Sequence, residues 1–265
     1  MPKRTTIRDI QAKANDGQKI SMVTAYDAFS AKLVEEAGID IALVGDSVGT
    51  TLQGRSDTLG VEMEDMLYHA EIVARSTERI LVIGDLPFGS YQVNEDEAMQ
   101  NAVAFLKAGA HAVKLEGGAS VMPIIERMCE AGIPVMGHLG LTPQSIYRFG
   151  TYKVRAREED EADILRTDAV LLDQAGCFAL VLEKIPASLA EAVSKTVSIP
   201  TIGIGAGSGC DGQVLVTHDA MGLTKDFNPR FVRRYADLSD VMGNAVKAYI
   251  ADVRSRSFPA EKESY

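Results

Sequence analysis

The segment Ala112-Val-Lys-Leu-Glu-Gly117 sets a lysine and a glutamate two residues apart in an otherwise apolar run. In a strand, Lys114 and Glu116 share one face, and burying them is costly unless the charges are paired or put to use. Similar runs end in other ionisable groups. Asp46 follows Ile-Ala-Leu-Val-Gly, and Asp85 follows Ile-Leu-Val-Ile-Gly. His138 follows Ile-Pro-Val-Met-Gly, and Glu183 follows Phe-Ala-Leu-Val-Leu. Gathered in one place, Asp46, Asp85 and Glu116 would repel one another strongly at low dielectric, and a bound divalent cation resolves that. An all-oxygen set suits Mg2+, which keeps several waters and accepts substrate oxygens. Glu183, in a more apolar setting, reads either as a surface strand end paired with Lys184 or as a general base. Lys114 reads equally as a partner of Glu116 or a contact for a substrate anion. His138 reads equally as a satisfied core histidine or a hydrogen-bond donor at the site.

These groups end a repeated phrase. Ala37-Gly38, Ala108-Gly109, Ala131-Gly132 and Ala175-Gly176 each precede an apolar run that closes on Asp46, Glu116, His138 or Glu183. Each phrase reads as a helix stopped by a left-handed glycine, then a strand. Asn94 and Glu97 resemble a capping box, and Ala98, Ala102, Phe105 and Leu106 then share a helical face. Lys19–Tyr26, Ile80–Asp85 and Pro200–Gly205 read as further strands, and Gln213–His218 as a weak eighth. Strands alternating with helices mean a parallel sheet, and about eight units in a chain of this length favour a (β/α)8 TIM barrel. Active sites of that fold lie at the carboxyl ends of the strands. Val113 and Leu115 would then face the helices while Lys114 and Glu116 enter the mouth. After Gly222 the rhythm stops, and 227–256 reads as helices packed on the barrel or on a neighbouring subunit. The whole of 1–265 reads as one domain.

The 265 residues carry a formal charge of -10, which argues against a nucleic-acid partner. No apolar run reaches membrane-span length, and Met-Pro-Lys-Arg-Thr-Thr lacks the core of a secretory signal. Cys129, Cys177 and Cys210 are scattered without metal-type spacing and read as reduced residues of a cytoplasmic protein. Gly207, Gly209 and Gly212 satisfy Gly-x-Gly-x-x-Gly, yet Gln-Val-Leu-Val-Thr-His follows instead of the helix a dinucleotide site needs. The glycines read instead as a place where substrate approaches the backbone. The charged stretch Tyr147–Asp163 reads as solvated loop and helix start, with Arg148, Lys153, Arg155 and Arg157 available to an anionic ligand tail.

The chain resembles the ketopantoate hydroxymethyltransferase family. The likeness lies in Thr-Ala-Tyr-Asp, Val-Gly-Asp-Ser-Val-Gly, Met-Leu-Tyr-His, Gly-Asp-Leu-Pro-Phe, Val-Lys-Leu-Glu-Gly-Gly, Gly-His-Leu-Gly-Leu-Thr-Pro-Gln, Leu-Val-Leu-Glu, Ile-Gly-Ile-Gly-Ala-Gly and Asp-Gly-Gln-Val-Leu-Val, in order along nearly the whole chain. The resemblance implies a barrel of the phosphoenolpyruvate/pyruvate-binding type and transfer of a hydroxymethyl group to 3-methyl-2-oxobutanoate. It further implies Mg2+, 5,10-methylenetetrahydrofolate as donor and a homodecamer. Carried over by motif, Asp46 and Asp85 hold the metal with Glu116 completing its surroundings. Asp46, Ser47, Asp85 and Lys114 contact the keto acid, with His138 beside them, and Glu183 is the proton acceptor. Three places depart from the family pattern: Gly60 stands where Pro is expected, Glu62 where Thr is expected, and Arg155-Ala-Arg157 where the run usually holds Gly. Two other readings stay open: a Mg2+-dependent lyase or mutase of the phosphoenolpyruvate type, and a non-catalytic barrel.

Overall fold

Eight short apolar runs form parallel strands that pair in sequence order and close on themselves. They are β1 (Ile20–Thr24), β2 (Ile41–Val44), β3 (Leu81–Asp85), β4 (Ala112–Lys114), β5 (Val135–Gly140), β6 (Ala179–Glu183), β7 (Thr201–Ile204) and β8 (Gly212–Leu215), with β1 paired to both β2 and β8. This computed structural model describes residues 3–265. The expected (β/α)8 barrel is therefore present, including the weak eighth strand.

Alternation along each strand sorts the side chains into two cores. Ile20, Met22, Ile41, Leu43, Leu81, Ile83, Ala112, Met136, Ala179, Val181, Ile202 and Val214 fill the barrel interior. Residues of the opposite parity, such as Val82, Val113, Leu115, Leu180 and Leu182, pack outward against the helices. Asp85, Lys114, His138 and Glu183 continue the inward parity to the carboxyl ends, so the strand that opened the question is buried and its inward face leads to the mouth.

The helices follow the repeated phrase. They are α1 (Ile7–Asn15), α2 (Ala28–Glu36), α3 (Met63–Arg75), α4 (Glu95–Lys107), α5 (Met122–Glu130), α6 (Glu159–Gln174) and α7 (Ala187–Thr196). Gly38, Gly109, Gly132 and Gly176 adopt positive φ after α2, α4, α5 and α6, as the Ala-Gly phrases require. Helix α1 begins on a capping box between Thr6 and Asp9 and sends Ile10 into the inner core, beneath the amino ends of the strands. No helix joins β7 to β8. Gly205–Asp211 runs there instead, so close to α7 that a Cβ on Gly207 would lie 2.4 Å from that of Ala187. At Gly209 it would lie 2.7 Å from the Cβ of Glu191. Gly207 and Gly209 thus serve close packing on α7, and β8 follows the run directly, as expected against a dinucleotide fingerprint.

Packing divides the chain into two compact units, Met1–Leu215 and Val216–Tyr265. The second contains the single-turn helix Thr217–Ala220 and α8 (Leu238–Ser255). Helices expected over 227–256 begin only at Leu238. Pro229 lacks the N–H a helix interior needs, and the Arg234 guanidinium donates to the carbonyls of Thr224 and Lys225, holding 227–237 open. Among the described residues no helix is long and apolar enough to cross a membrane.

Candidate active site

Asp46, Asp85, Lys114, Glu116 and His138 are all buried, and Glu183 keeps 15% of its side chain accessible. Strand register brings them together: Asp85 stands opposite Lys114, and Gly140, two residues past His138, stands opposite Glu183. Lys114 Nζ lies 2.8 Å from Asp85 Oδ1, 3.9 Å from Glu116 Oε1 and 3.4 Å from His138 Nδ1. Of the readings left open for Lys114, the pairing is made chiefly with Asp85 and only at longer range with Glu116, and contact with a substrate anion stays open. His138 bridges two strands, its Nδ1 lying 3.3 Å from Glu116 Oε1 and its Nε2 3.4 Å from Glu183 Oε2. It therefore sits in the charged cluster rather than in the apolar core.

Asp46 lies one residue beyond the inward alternation of β2, in the turn Gly45-Asp46-Ser47. Its backbone N–H donates to Asp85 Oδ2 at 3.1 Å, and its own Oδ2 accepts from Gln144 Nε2 at 3.0 Å. Ser47 Oγ is 2.7 Å from the hydroxyl of Tyr26, whose carbonyl meets His69 Nδ1 at 2.6 Å. His69 and His111 take structural roles, His111 Nδ1 accepting from the Val82 N–H.

The charges explain the titration of the cluster. Burial, then repulsion from Asp85 and Glu116, holds Asp46 well above the usual carboxylate range. Burial also raises Asp85, despite the ammonium of Lys114 beside it. Burial opposes the charge on Lys114, yet Asp85, Glu116 and Asp46 outweigh it and raise the ammonium's proton affinity. Glu116 is lowered: its burial is more than offset by His138, Lys114 and the Gln144 N–H. Burial and Lys114 oppose protonation of His138, but Glu116 and Glu183 prevail and push it up to about 9. With His138 protonated, four carboxyl groups face two cations, and fully ionised they would leave an excess of negative charge that the raised Asp46 and Asp85 resist. That surplus of negative charge suits a divalent cation.

The fit to a metal is specific in one respect. Asp85 Oδ1 is buried without an aligned hydrogen bond and meets the Lys114 ammonium as an ion pair only. Among the described residues, no three His, Cys, Asp or Glu side chains stand ready to hold a metal ion by themselves. The arrangement therefore suits a cation held by one or two carboxylates and completed by water and substrate oxygens, as Mg2+ commonly is.

Two residues of this network escaped the sequence reading. Gln144 lies within the quoted Gly-His-Leu-Gly-Leu-Thr-Pro-Gln phrase, and Tyr91 follows Asp85-Leu-Pro-Phe-Gly-Ser. The Tyr91 hydroxyl is 2.7 Å from Gln144 Oε1 and accepts from the Glu116 N–H at 3.2 Å. The only signal in sequence was their position in loops that follow strand ends. At the rim, Tyr147 donates to Asp57 Oδ2 at 3.2 Å, Lys184 donates to the Tyr152 carbonyl, and Arg155 pairs with Glu161 over the Phe149 ring. Ala156 keeps a left-handed φ of 51°, suited to the Gly expected in that run. Gly60 lies under Arg55, whose Nη1 would be 2.5 Å from a Cβ there, so a proline ring would need the guanidinium to move.

Comparison with known proteins identifies the family. A family model described as ketopantoate hydroxymethyltransferase matches residues 4–261. The chain belongs to the ketopantoate hydroxymethyltransferase family. It is similar to a Salinibacter ruber protein named 3-methyl-2-oxobutanoate hydroxymethyltransferase, 58% identical over 263 residues and covering 99% of each chain. A Chlorobium phaeobacteroides protein of the same name is 55% identical over 270 residues, covering 100% of this chain and 97% of that one. Among solved structures, phosphonopyruvate hydrolase in complex with oxalate and Mg2+ superposes with a TM-score of 0.64 at 13% identity, over 98% of this chain and 93% of that one. A 2,3-dimethylmalate lyase, a PEP mutase/isocitrate lyase superfamily member, gives 0.60 at 15% identity, over 98% and 92%. These structures share the closed eight-stranded barrel fold.

Proposed function

We propose that the chain transfers a hydroxymethyl group from 5,10-methylenetetrahydrofolate to 3-methyl-2-oxobutanoate, forming ketopantoate for pantothenate biosynthesis. Family membership supports the reaction, and one observation supports the chemistry: Glu183 stands 3.4 Å beyond His138, apart from the Asp46, Asp85 and Glu116 group. One carboxylate is thus free to move a proton while the others surround a cation. Mg2+ would be held by Asp46 and Asp85 with Glu116 in its surroundings, and when bound it supplies Lewis-acid stabilisation of the enolate.

The chain's own residues do the rest. Lys114 offsets the charge of the keto acid's carboxylate and enolate oxygens, and Ser47 offers its hydroxyl to the same anion. Glu183 accepts the proton from C3, and the carbon nucleophile it leaves takes the folate's one-carbon unit. Both C–N bonds to the carrier break, and water supplies the hydroxymethyl oxygen. The protons of water and C3 end on the product hydroxyl and the two nitrogens of the departing tetrahydrofolate. His138, protonated over most of the neutral range, holds Glu183 and Glu116 at fixed separation. A soluble barrel enzyme working inside the cell as a homodecamer agrees with the family resemblance.

Glu183→Gln tests the assignment. Deuterium exchange at C3 of 3-methyl-2-oxobutanoate should disappear while Mg2+ binding persists. Exchange at the unaltered rate would show that another group takes the proton. A lyase or mutase acting on the same enolate would turn over without the folate, so folate-dependent loss of the keto acid separates that rival.

A further inference from the structure

Gln144 carries none of the chemistry just described, yet it holds two of the residues that do. Its side chain is buried, and each polar group is engaged. Nε2 donates to Asp46 Oδ2 at 3.0 Å and to the Leu86 carbonyl at 2.9 Å. Oε1 accepts from the Tyr91 hydroxyl at 2.7 Å and from Gln92 Nε2 at 3.2 Å. Its backbone N–H donates to Glu116 Oε2 at 3.0 Å. A single residue in the loop after β5 thus holds one oxygen of Asp46 and one of Glu116, whose other oxygen, Oε1, faces Lys114 and His138.

The direction of the amide matters. Turned over, its carbonyl would face Asp46 and the Leu86 carbonyl, while its NH2 would face two donors. Tyr91 favours the observed direction: its oxygen accepts the Glu116 N–H at 3.2 Å, and its single proton is shared between the Glu116 carbonyl at 3.1 Å and the nearer Gln144 Oε1 at 2.7 Å. Asp46 needs such support because it lies past the end of β2, where no ladder neighbour fixes it.

We propose that Gln144 is a positioning residue that orients the Asp46 and Glu116 carboxylates for a divalent cation, and that Tyr91 locks the Gln144 amide in its donating direction. The proposal rests on the metal-dependent reading above. Supporting groups of this kind typically carry 10–100-fold in metal affinity.

The experiment is calorimetric titration with MgCl2 alone, without substrate, accompanied by thermal melts. Gln144→Met keeps the length and removes the amide, and should bind Mg2+ about 10–100-fold more weakly while still folded. Tyr91→Phe should weaken binding less, and the double variant should bind no more weakly than Gln144→Met, since Tyr91 acts through the amide. Deuterium exchange by Gln144→Met should recover in excess Mg2+. A merely structural role would lower the melting temperature and leave the affinity of folded protein unchanged, which overturns the proposal. Losses that multiply in the double variant overturn the role of Tyr91. If Gln144→Met does not fold, unchanged affinity in Tyr91→Phe overturns the lock. An unaltered chain that takes up no Mg2+ refutes the metal reading first and this proposal with it, a result distinct from equal binding by chain and variant.

Discussion

Lys114→Met removes the buried cation while keeping most of the side chain's bulk. In a medium of effective dielectric about 20, a unit pair at 2.8 Å attracts by about 6 kcal/mol and one at 3.9 Å by about 4 kcal/mol. Dehydration of the same groups offsets much of this. Removing one member of a buried pair costs about 3–5 kcal/mol net, because the other charge is left uncompensated. That is a large share of the 5–15 kcal/mol by which domains are stable. The deficit must also depend on pH. Asp46 and Asp85 already hold protons more tightly folded than unfolded, and losing Lys114 strengthens that tendency. A raised folded value contributes stability at low pH that is lost as pH rises through it. The variant should therefore fall furthest behind near pH 8 and recover toward pH 5, with millimolar Mg2+ also restoring part of the loss. Urea unfolding followed by far-UV circular dichroism at both pH values measures this. A deficit below about 1 kcal/mol, or one equal at the two pH values, would mean the carboxylates are solvated, and the electrostatic account would fail.

Asp85→Ala should weaken Mg2+ binding, and an unchanged calorimetric affinity would remove Asp85 from the metal's ligands. Gly140→Ala should cost about 2–4 kcal/mol and slow C3 exchange, since a left-handed φ of 94° is combined with a Cβ 2.2 Å from the Glu183 carbonyl. Gly132→Ala, at φ 81° with open space around it, serves as the control and should lose only about 1–2 kcal/mol. Burial, then the nearby Arg4, pushes His111 down to about 4. Its neutral form therefore contributes stability above about pH 6.5 that is lost as pH falls toward 4, on the order of 1–2 kcal/mol after allowance for partial exposure. His111→Gln should flatten that limb of the stability profile.

What local pattern controls was legible before any coordinates. The Ala-Gly stops and the apolar runs after them depend on neighbours within one helix or strand, and each run lies in the barrel with its terminal charge at the mouth. Asp85, Lys114, Glu116, His138 and Glu183 were read from the same rule, because inward parity follows from strand geometry, whereas Asp46 sits one residue off it in the turn. Gln144 and Tyr91 were not legible: their partners lie 98, 28 and 53 positions away in sequence, and an uncharged amide in a loop has no periodicity to betray it. The packing demand on Gly207 and Gly209 was hidden for a related reason, because it comes from α7, a helix already passed in the chain. In the second unit, apolar content suggested helix from Phe227, while Pro229 and the grip of Arg234 on two carbonyls postponed it.

Helix α1 has a consequence for traffic. With Ile10 wedged beneath the inner layers, that end of the barrel is stoppered, and molecules must arrive past the opposite rim. Under the proposed reaction both reactants then queue at one doorway.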